Sequence, residues 1–201
     1  MPGTSMEPLA RLFGSPARLK LLRLFMFNDD AAFTATDAAF RTKTAKDAAR
    51  KELTALVTMG IIRKRAGKGA SLGYSANRRF AHYEPLKAFL RDTSDVRDND
   101  VLDTLRSGGG VMRLVVLSGL FTGAVESKVD MLIVGDRLDE KKLARAVHAL
   151  EAELGRELRY ACFSTEEFKY RRGVYDRLIR DVFDYPNRAI LDRLGLTSGN
   201  A

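Results

Sequence analysis

Residues 36–77, TDAAFRTKTAKDAARKELTALVTMGIIRKRAGKGASLGYSAN, decide the fold that we predict for this chain. A short helix begins at Thr36, residues 41–43 form a turn, and a longer helix covers residues 45–59. Apolar side chains recur on the longer helix every three or four residues, at Ala49, Leu53, Leu56 and Val57. This spacing predicts that one face of the helix is buried and that the opposite, charged face is exposed.

Local signals mark where the helices of this half begin and end. Ser15 and Pro16 are the N-cap and first residue of an earlier helix. Thr44, followed three residues later by Asp47, predicts a capping box at the start of the longer helix. Gly60 is suited to the left-handed conformation that ends a helix.

The sequence after Gly60 predicts a β-hairpin with a basic tip. Residues 61–65 and 73–77 have strand composition, and Gly67, Lys68 and Gly69 lie in the loop between them. A further helix over residues 84–90 closes the first half.

Charge is distributed unevenly between the two halves. Residues 1–91 contain 17 Lys and Arg against 7 Asp and Glu, a net charge of +10, whereas residues 92–201 contain 17 against 19, a net charge of −2. A basic half that presents a helix and a hairpin is typical of a nucleic-acid-binding protein.

The order of helices and hairpin resembles the winged helix-turn-helix of bacterial and archaeal transcription regulators, over about residues 9–90. In that family the third helix enters the major groove and the hairpin, or wing, reaches the adjacent groove or the backbone. The resemblance implies that these residues face DNA: Thr42, Lys43, Thr44, Lys46, Asp47, Arg50 and Lys51 on the turn and helix, and Arg63, Lys64, Arg65, Lys68 and Ser71 on the wing.

Physical chemistry supports the same assignment. The major groove admits one helix, and Lys and Arg on its exposed face neutralise phosphates. Arg50 is the best candidate for a guanine contact, and Thr42 and Thr44 are suited to phosphate oxygens. Two alternatives remain: the charges solvate a helix surface, or the module binds RNA or protein.

The second half predicts strands alternating with helices. Strands are expected over residues 113–117, 129–134 and 157–163, with a long helix over residues 139–154 between the last two. We therefore predict an α+β protein of two domains, residues 1–91 and a small α/β sheet domain of residues 101–201, joined by a polar linker at 92–100.

Part of the second domain resembles the minimal polymerase-beta-like nucleotidyltransferases. That family has a Gly-Ser pair after one strand and Asp-x-Asp on the next. Here Ser118 and Gly119 occur in reversed order, Asp130 takes the second acidic position, and Lys128 replaces the first acid. Arg159 lies near the place expected for a third acid.

The replacement by Lys128 argues against catalysis. Two-metal phosphoryl transfer requires carboxylates that hold both Mg²⁺ ions, and a protonated amine cannot coordinate them. The resemblance thus implies a degenerate site (Ser118, Gly119, Lys128 and Asp130) without enzymatic activity, metal or cofactor. An alternative for Asp130 is a structural role, as a cap or as the partner of Lys128.

The leading hypothesis is a cytoplasmic transcription regulator that binds double-stranded DNA as a homodimer. A small-molecule or nucleotide effector is a further candidate partner, and no apolar stretch is long enough to span a membrane. Two other functions compete with it: an active Mg-dependent nucleotidyltransferase that a winged helix targets, and a protein-interaction adaptor.

Overall fold

The computed structural model describes residues 7–66, 72–94, 96–124 and 126–196. Its contacts divide the chain into two units, Met1–Arg97 with His148–Arg156, and Asp98–Val147 with Glu157–Ala201. The expected linker at 92–100 is helical at its two ends, because α5 (Tyr83–Asp92) extends to Asp92 and α6 (Asp98–Arg106) begins at Asp98.

The core of the first unit forms around α2 (Pro16–Phe27), which follows α1 (Glu7–Leu12). The Ser15 hydroxyl accepts a hydrogen bond from the Arg18 N–H at 3.0 Å, which confirms the predicted cap. The helix is buried on most of its circumference, and its fully buried apolar residues are Leu19, Leu21, Leu22, Phe25 and Met26. It is therefore a core helix rather than an amphipathic surface helix.

The next two helices are α3 (Ala35–Arg41) and α4 (Lys46–Thr58). Thr34 and Asp37 form a capping box at the start of α3. The capping box expected from Thr44 and Asp47 is wrong, since the N-cap of α4 is Ala45, which has no side-chain acceptor. The left-handed conformation of Gly60 is confirmed, with φ of +73°.

The hairpin prediction is confirmed within the described residues. Strands β2 (Ile62–Ala66) and β3 (Leu72–Ala76) pair antiparallel, with Ile62 opposite Ala76 and Ala66 opposite Leu72. A two-residue strand, β1 (Phe33–Thr34), pairs with the other edge of β3, so the sheet order is β1-β3-β2. Residues 67–71 of the hairpin tip lie outside the described residues.

A segment distant in sequence completes the first unit. The boundary between the units falls within α7 (Glu140–Leu154), whose residues from His148 onward belong to the first unit. In that part of α7, Glu153 forms an ion pair with Lys20 of α2 at 2.6 Å. Arg23 is fully buried and donates to the carbonyls of Glu153 (3.0 Å) and Thr93 (2.8 Å). Burial lowers the pKa of Arg23, an effect that the nearby Glu153 carboxylate opposes. These polar contacts fix residues 148–156 against α2.

The second unit contains a four-stranded sheet made of β4 (Val111–Leu117), β5 (Met131–Asp136), β6 (Tyr160–Phe163) and β7 (Arg188–Asp192). The strand order is β6-β5-β4-β7. Only β5 and β6, which α7 connects, are parallel; β4 is antiparallel to both β5 and β7. The sheet is therefore mixed rather than parallel throughout. The expected alternation of strands and helices holds from β5 onward, where α7 connects β5 to β6 and the helical residues 165–184 connect β6 to β7.

Two short helices cover one part of this sheet. Ser164 caps α8 (Thr165–Gly173), as expected, and Asp176 caps α9 (Arg177–Asp184). Phe168, Ile179 and Val182 are buried in one cluster with strand residues such as Leu114. The described chain is thus mixed α+β with two sheets, and none of its helices is long and apolar enough to cross a membrane.

Candidate functional site

Helix α4 separates apolar and charged side chains onto different faces. Ala49, Leu53 and Leu56 are completely buried. The charged residues predicted to face outward are all exposed, namely Lys46, Asp47, Arg50 and Lys51. The helix therefore presents a mainly basic face to solvent while its apolar face packs in the core of the first unit.

Thr42 in the turn between α3 and α4 does not face outward, which corrects the sequence-based assignment. It is 1% exposed, and its hydroxyl donates to the Ala38 carbonyl at 2.7 Å. Thr44 is half-buried and lies 3.0 Å from the Thr42 hydroxyl. The Thr42 hydroxyl thus caps a carbonyl at the C-terminal end of α3. Because it is buried there, it has no access to a phosphate.

Lys43 occupies a strained position in the same turn. Its side chain is exposed, and its φ is +49°, in the left-handed region that non-glycine residues rarely adopt. Glycine is common in the turn of helix-turn-helix motifs. An exposed cation is therefore present here at a cost in backbone strain.

A buried carboxylate holds α4 against the start of α2. Glu52 is 7% exposed and accepts hydrogen bonds from the Ser15 hydroxyl and from Arg18 Nε, both at 2.7 Å. Burial acts to raise the pKa of Glu52, but these two donors outweigh it and lower the pKa below its ordinary value. Ser15, the N-cap of α2, thus also binds Glu52 and holds α4 against α2.

Strand β2 adds a second group of cations. Ile62 is buried, whereas Arg63, Lys64 and Arg65 are all exposed. Lys68 and Ser71, the remaining residues assigned to the wing, lie outside the described residues.

These cations have few acidic neighbours. Among residues 7–66, 72–94, 96–124 and 126–196, no carboxylate forms an ion pair with any of Lys43, Lys46, Lys51, Arg63, Lys64 and Arg65. Arg50 lies 3.5 Å from Asp47, but both side chains are exposed. Such an exposed pair contributes little stability and leaves the guanidinium accessible to another acceptor.

The second candidate site is the buried carboxylate of Asp130, which is 2% exposed. Its Oδ1 accepts from the Leu120 N–H (2.8 Å) and Arg159 Nη2 (2.8 Å), and its Oδ2 accepts from Arg159 N–H (2.9 Å) and Nε (3.0 Å). Burial alone would raise the pKa of Asp130, but these hydrogen bonds lower it. The expected alternative of a pair with Lys128 is wrong, because Arg159 is the partner.

Ser118, Gly119 and Lys128, the other residues assigned to this site, make different contacts. Gly119 has φ of +47°, and a side chain there would collide with Asp130. The Lys128 N–H donates to Asp181 on α9 at 2.7 Å, and the Ser118 hydroxyl donates to the Pro186 carbonyl at 3.0 Å. Ser118 and Lys128 thus form hydrogen bonds with Pro186 and Asp181 within the fold, whereas Gly119 lies directly against the Asp130 carboxylate.

No family model matches the chain, and no curated protein and no solved structure matches it. The candidate sites therefore rest on their own chemistry. Within the part of the chain that the structure describes, no group of three or more His, Cys, Asp and Glu residues could hold a metal ion.

Sequence reasoning missed two residues that organise these sites. Glu52 lies three residues after Ala49 and four before Leu56, so a carboxylate on the apolar stripe of α4 was the available signal. Asp181 had no comparable signal, because its contacts with Ser127 and Lys128 join residues more than 50 positions apart.

Proposed function

We propose that the first unit is a winged helix-turn-helix that binds double-stranded DNA with sequence specificity, and that the chain is a transcription regulator. The observation that carries the proposal is the set of exposed cations on the turn, α4 and β2 that have no described acidic partner. A free cation gains the most from a phosphate, because no existing ion pair has to break when DNA binds.

In this proposal α4 lies in the major groove. Lys46 is its first residue, and Arg50 follows one turn later on the exposed face. Arg50 is suited to a guanine because its guanidinium donates two parallel hydrogen bonds and its contact with Asp47 is weak. Thr42 is no longer among the contacting residues.

The wing is formed by β2, β3 and the tip between them. Arg63, Lys64 and Arg65 contact the backbone or the adjacent groove, and Lys68 and Ser71 at the tip remain part of the proposed surface. Their contacts provide affinity and register rather than sequence information, since phosphates are the same at every base pair.

The second unit is proposed to resemble a nucleotidyltransferase without the activity. This is supported by the four hydrogen bonds that Asp130 accepts, which leave its oxygens committed to Leu120 and Arg159. It is also supported by Lys128 in place of an acid. Cytoplasmic location and a homodimer that reads two half-sites belong to the same proposal, because a single module of this size makes few base contacts.

The test begins with selection of bound duplexes from a random library, followed by fluorescence anisotropy with the selected site. The Lys46→Ala/Arg50→Ala variant should bind at least 10-fold more weakly at about 0.15 M salt. The slope of log affinity against log salt should fall by about 0.9 for each phosphate contact removed. A Lys141→Ala/Arg145→Ala variant of α7 makes the same change in charge and should bind like the unmodified chain.

A second arm tests the wing and the competing functions. Arg63→Ala/Arg65→Ala should weaken all duplexes by a similar factor, whereas Lys46→Ala/Arg50→Ala should also relax the selected sequence. Unchanged affinity in both variants would overturn the proposed interface.

Other outcomes would favour the competing functions. Preference for an RNA hairpin would indicate RNA binding, and no retention on any duplex would indicate an adaptor role. Metal-dependent turnover of Mg·ATP, followed by calorimetry and abolished by Asp130→Asn, would contradict the absence of catalysis.

A further inference from the structure

A cleft of about 950 Å³ opens on the second unit between α8, α9 and the segment after β7. Its apolar lining comes from Phe168, Ile179, Phe183 and Leu194. Phe168 and Ile179 belong to the buried cluster under the helices, and Phe183 and Leu194 pack against it. The cleft therefore has an apolar floor continuous with the core of this unit.

The rim of the cleft is basic. Lys169, Arg172 and Arg193 line it, and none of them forms an ion pair with a carboxylate of the described chain. Arg180 differs from them, because it pairs with Asp184 at 3.6 Å. Within the described residues, these three cations beside an apolar floor thus have no carboxylate partner.

The carboxylates of the same lining do not compensate these cations. Asp176 is the N-cap of α9 and accepts from the N–H groups of Leu178 and Ile179, while Arg171 pairs with it at 3.0 Å. Asp184 is the partner of Arg180. Both acids are therefore used locally, by Arg171 and the α9 N-terminus and by Arg180.

An exposed aromatic ring stands at the same cleft. Tyr175 is 80% exposed and has φ of +55°, which is unusual for a bulky residue. The loop that holds it is fixed by hydrogen bonds from the Tyr175 and Asp176 N–H groups to the carbonyls of Arg172 and Arg171. The Tyr175 ring is thus exposed to solvent at the edge of the apolar cleft.

We propose that this cleft binds a small organic anion that has an aromatic body and a carboxylate or phosphate group. The body would pack on Phe183, Leu194 and the Tyr175 ring, and the anionic group would accept hydrogen bonds from Arg172 and Arg193, whose planar guanidinium groups match both oxyanions. A volume of about 950 Å³ lies within the range of small-molecule sites. The inference goes beyond DNA binding and is independent of it.

Calorimetric titration of the full chain with three matched probes tests the proposal. The probes are 1-naphthyl phosphate, 1-naphthoate and 1-naphthol, which share one aromatic body and differ in charge. At least one of the two anions should bind saturably with one site per chain and at least 10-fold more tightly than 1-naphthol. The stronger of the two identifies whether phosphate or carboxylate is the preferred group. Binding of 1-naphthol as tight as that of both anions, or no saturable binding of either anion, would overturn the proposal.

Variants locate the binding in the cleft. Arg172→Gln/Arg193→Gln should reduce anion affinity at least 10-fold and leave 1-naphthol within 2-fold. Arg177→Gln, an exposed cation of α9 outside the cleft, should leave both unchanged. Equal anion affinity in all variants would contradict the site. Two further outcomes are possible. In sedimentation, a dimer that Leu194→Glu dissociates would make the cleft a contact between copies of the chain. In titration, binding of an acidic amphipathic peptide without binding of the small anions would make it a peptide site. Either result would overturn the proposal.

Discussion

Arg159 donates hydrogen bonds from its guanidinium to both carboxylate oxygens of Asp130, at 2.8 Å and 3.0 Å, and one more from its backbone N–H. The resemblance to nucleotidyltransferases that we propose would have a third acid near Arg159, so in that proposal a cation takes the place of a metal ligand. The Asp130 side chain is 3% exposed and that of Arg159 54% exposed, so the carboxylate is held inside while its partner reaches solvent. This arrangement commits both carboxylate oxygens of Asp130 to hydrogen bonds within the fold.

Replacing Asp130 by Asn should therefore reduce stability. The amide loses the charged pair with Arg159, and we expect a loss of about 2 kcal/mol in the free energy of unfolding, in the range of hydrogen bonds to charged groups. Because the pKa of Asp130 is lowered in the folded chain, its contribution is complete above the unfolded pKa of about 3.9 and is lost as pH falls through the folded pKa. Urea unfolding at pH 7 and at several values below pH 4 should show the difference from the unmodified chain shrinking with acid.

The control for this variant is Asp103→Asn, which removes an exposed pair with Arg106 on α6. It should change the free energy of unfolding by no more than about 0.5 kcal/mol. Equal losses for the two variants would show that burial of Asp130 does not determine its contribution.

Glu52→Gln should destabilise the first unit and weaken DNA binding indirectly. The amide can still accept from Ser15, but it loses the ionic contact with Arg18, and a loss of about 1–2 kcal/mol is expected. The pKa of Glu52 is lowered in the folded chain, so this contribution is complete above the unfolded pKa of about 4.3 and is lost as pH falls through the folded pKa. Urea unfolding at pH 7 measures the loss, and anisotropy should show a smaller drop in duplex affinity than for Lys46→Ala/Arg50→Ala. A larger drop would place Glu52 at the interface rather than behind it.

Lys43 gives a test that separates strain from charge. Lys43→Gly and Lys43→Ala remove the same cation, but only glycine adopts φ of +49° without strain. The glycine variant should be more stable than the alanine variant by about 1 kcal/mol. Both should bind duplex DNA more weakly than the unmodified chain, and by a similar factor, as measured by anisotropy. Equal stability of the two variants would show that the turn relaxes around Lys43.

The elements near α4 could be predicted because their signals are local. Apolar spacing at Ala49, Leu53 and Leu56 and the turn at Gly60 depend only on neighbouring residues. The capping box at Thr44 was wrong for a physical reason: the Thr42 hydroxyl, bonded to Ala38, also contacts Thr44 and holds it in the turn. The sequence pattern does not show whether the Thr44 hydroxyl caps α4 or contacts Thr42 in the turn.

The second unit was harder to predict because its decisive contacts are distant in sequence. Strand β7 pairs with β4 across more than 70 positions, and Arg159 meets Asp130 across 29. The packing of residues 148–156 against α2 joins positions 130 or more apart, such as Arg23 and Glu153. A continuous amphipathic helix therefore gave no sign that its end belongs to the other unit. Charge alone indicated the basic face of α4, whereas the basic cleft on α8 and α9 was hidden in a half with a net charge of −2.

Gly155 and Gly109 form a matched pair that tests the packing of residues 148–156. Both glycines are left-handed, with φ of +72° and +74°. A side chain at Gly109 would meet nothing within 4 Å, whereas a Cβ at Gly155 would lie 2.6 Å from the Arg23 backbone. Gly109→Ala should therefore cost about 1 kcal/mol of unfolding free energy from strain alone. Gly155→Ala should cost about 3 kcal/mol or more, because overpacking adds to the strain. Urea unfolding followed by circular dichroism measures both. Equal costs would mean that residues 148–156 are not held against α2 in solution.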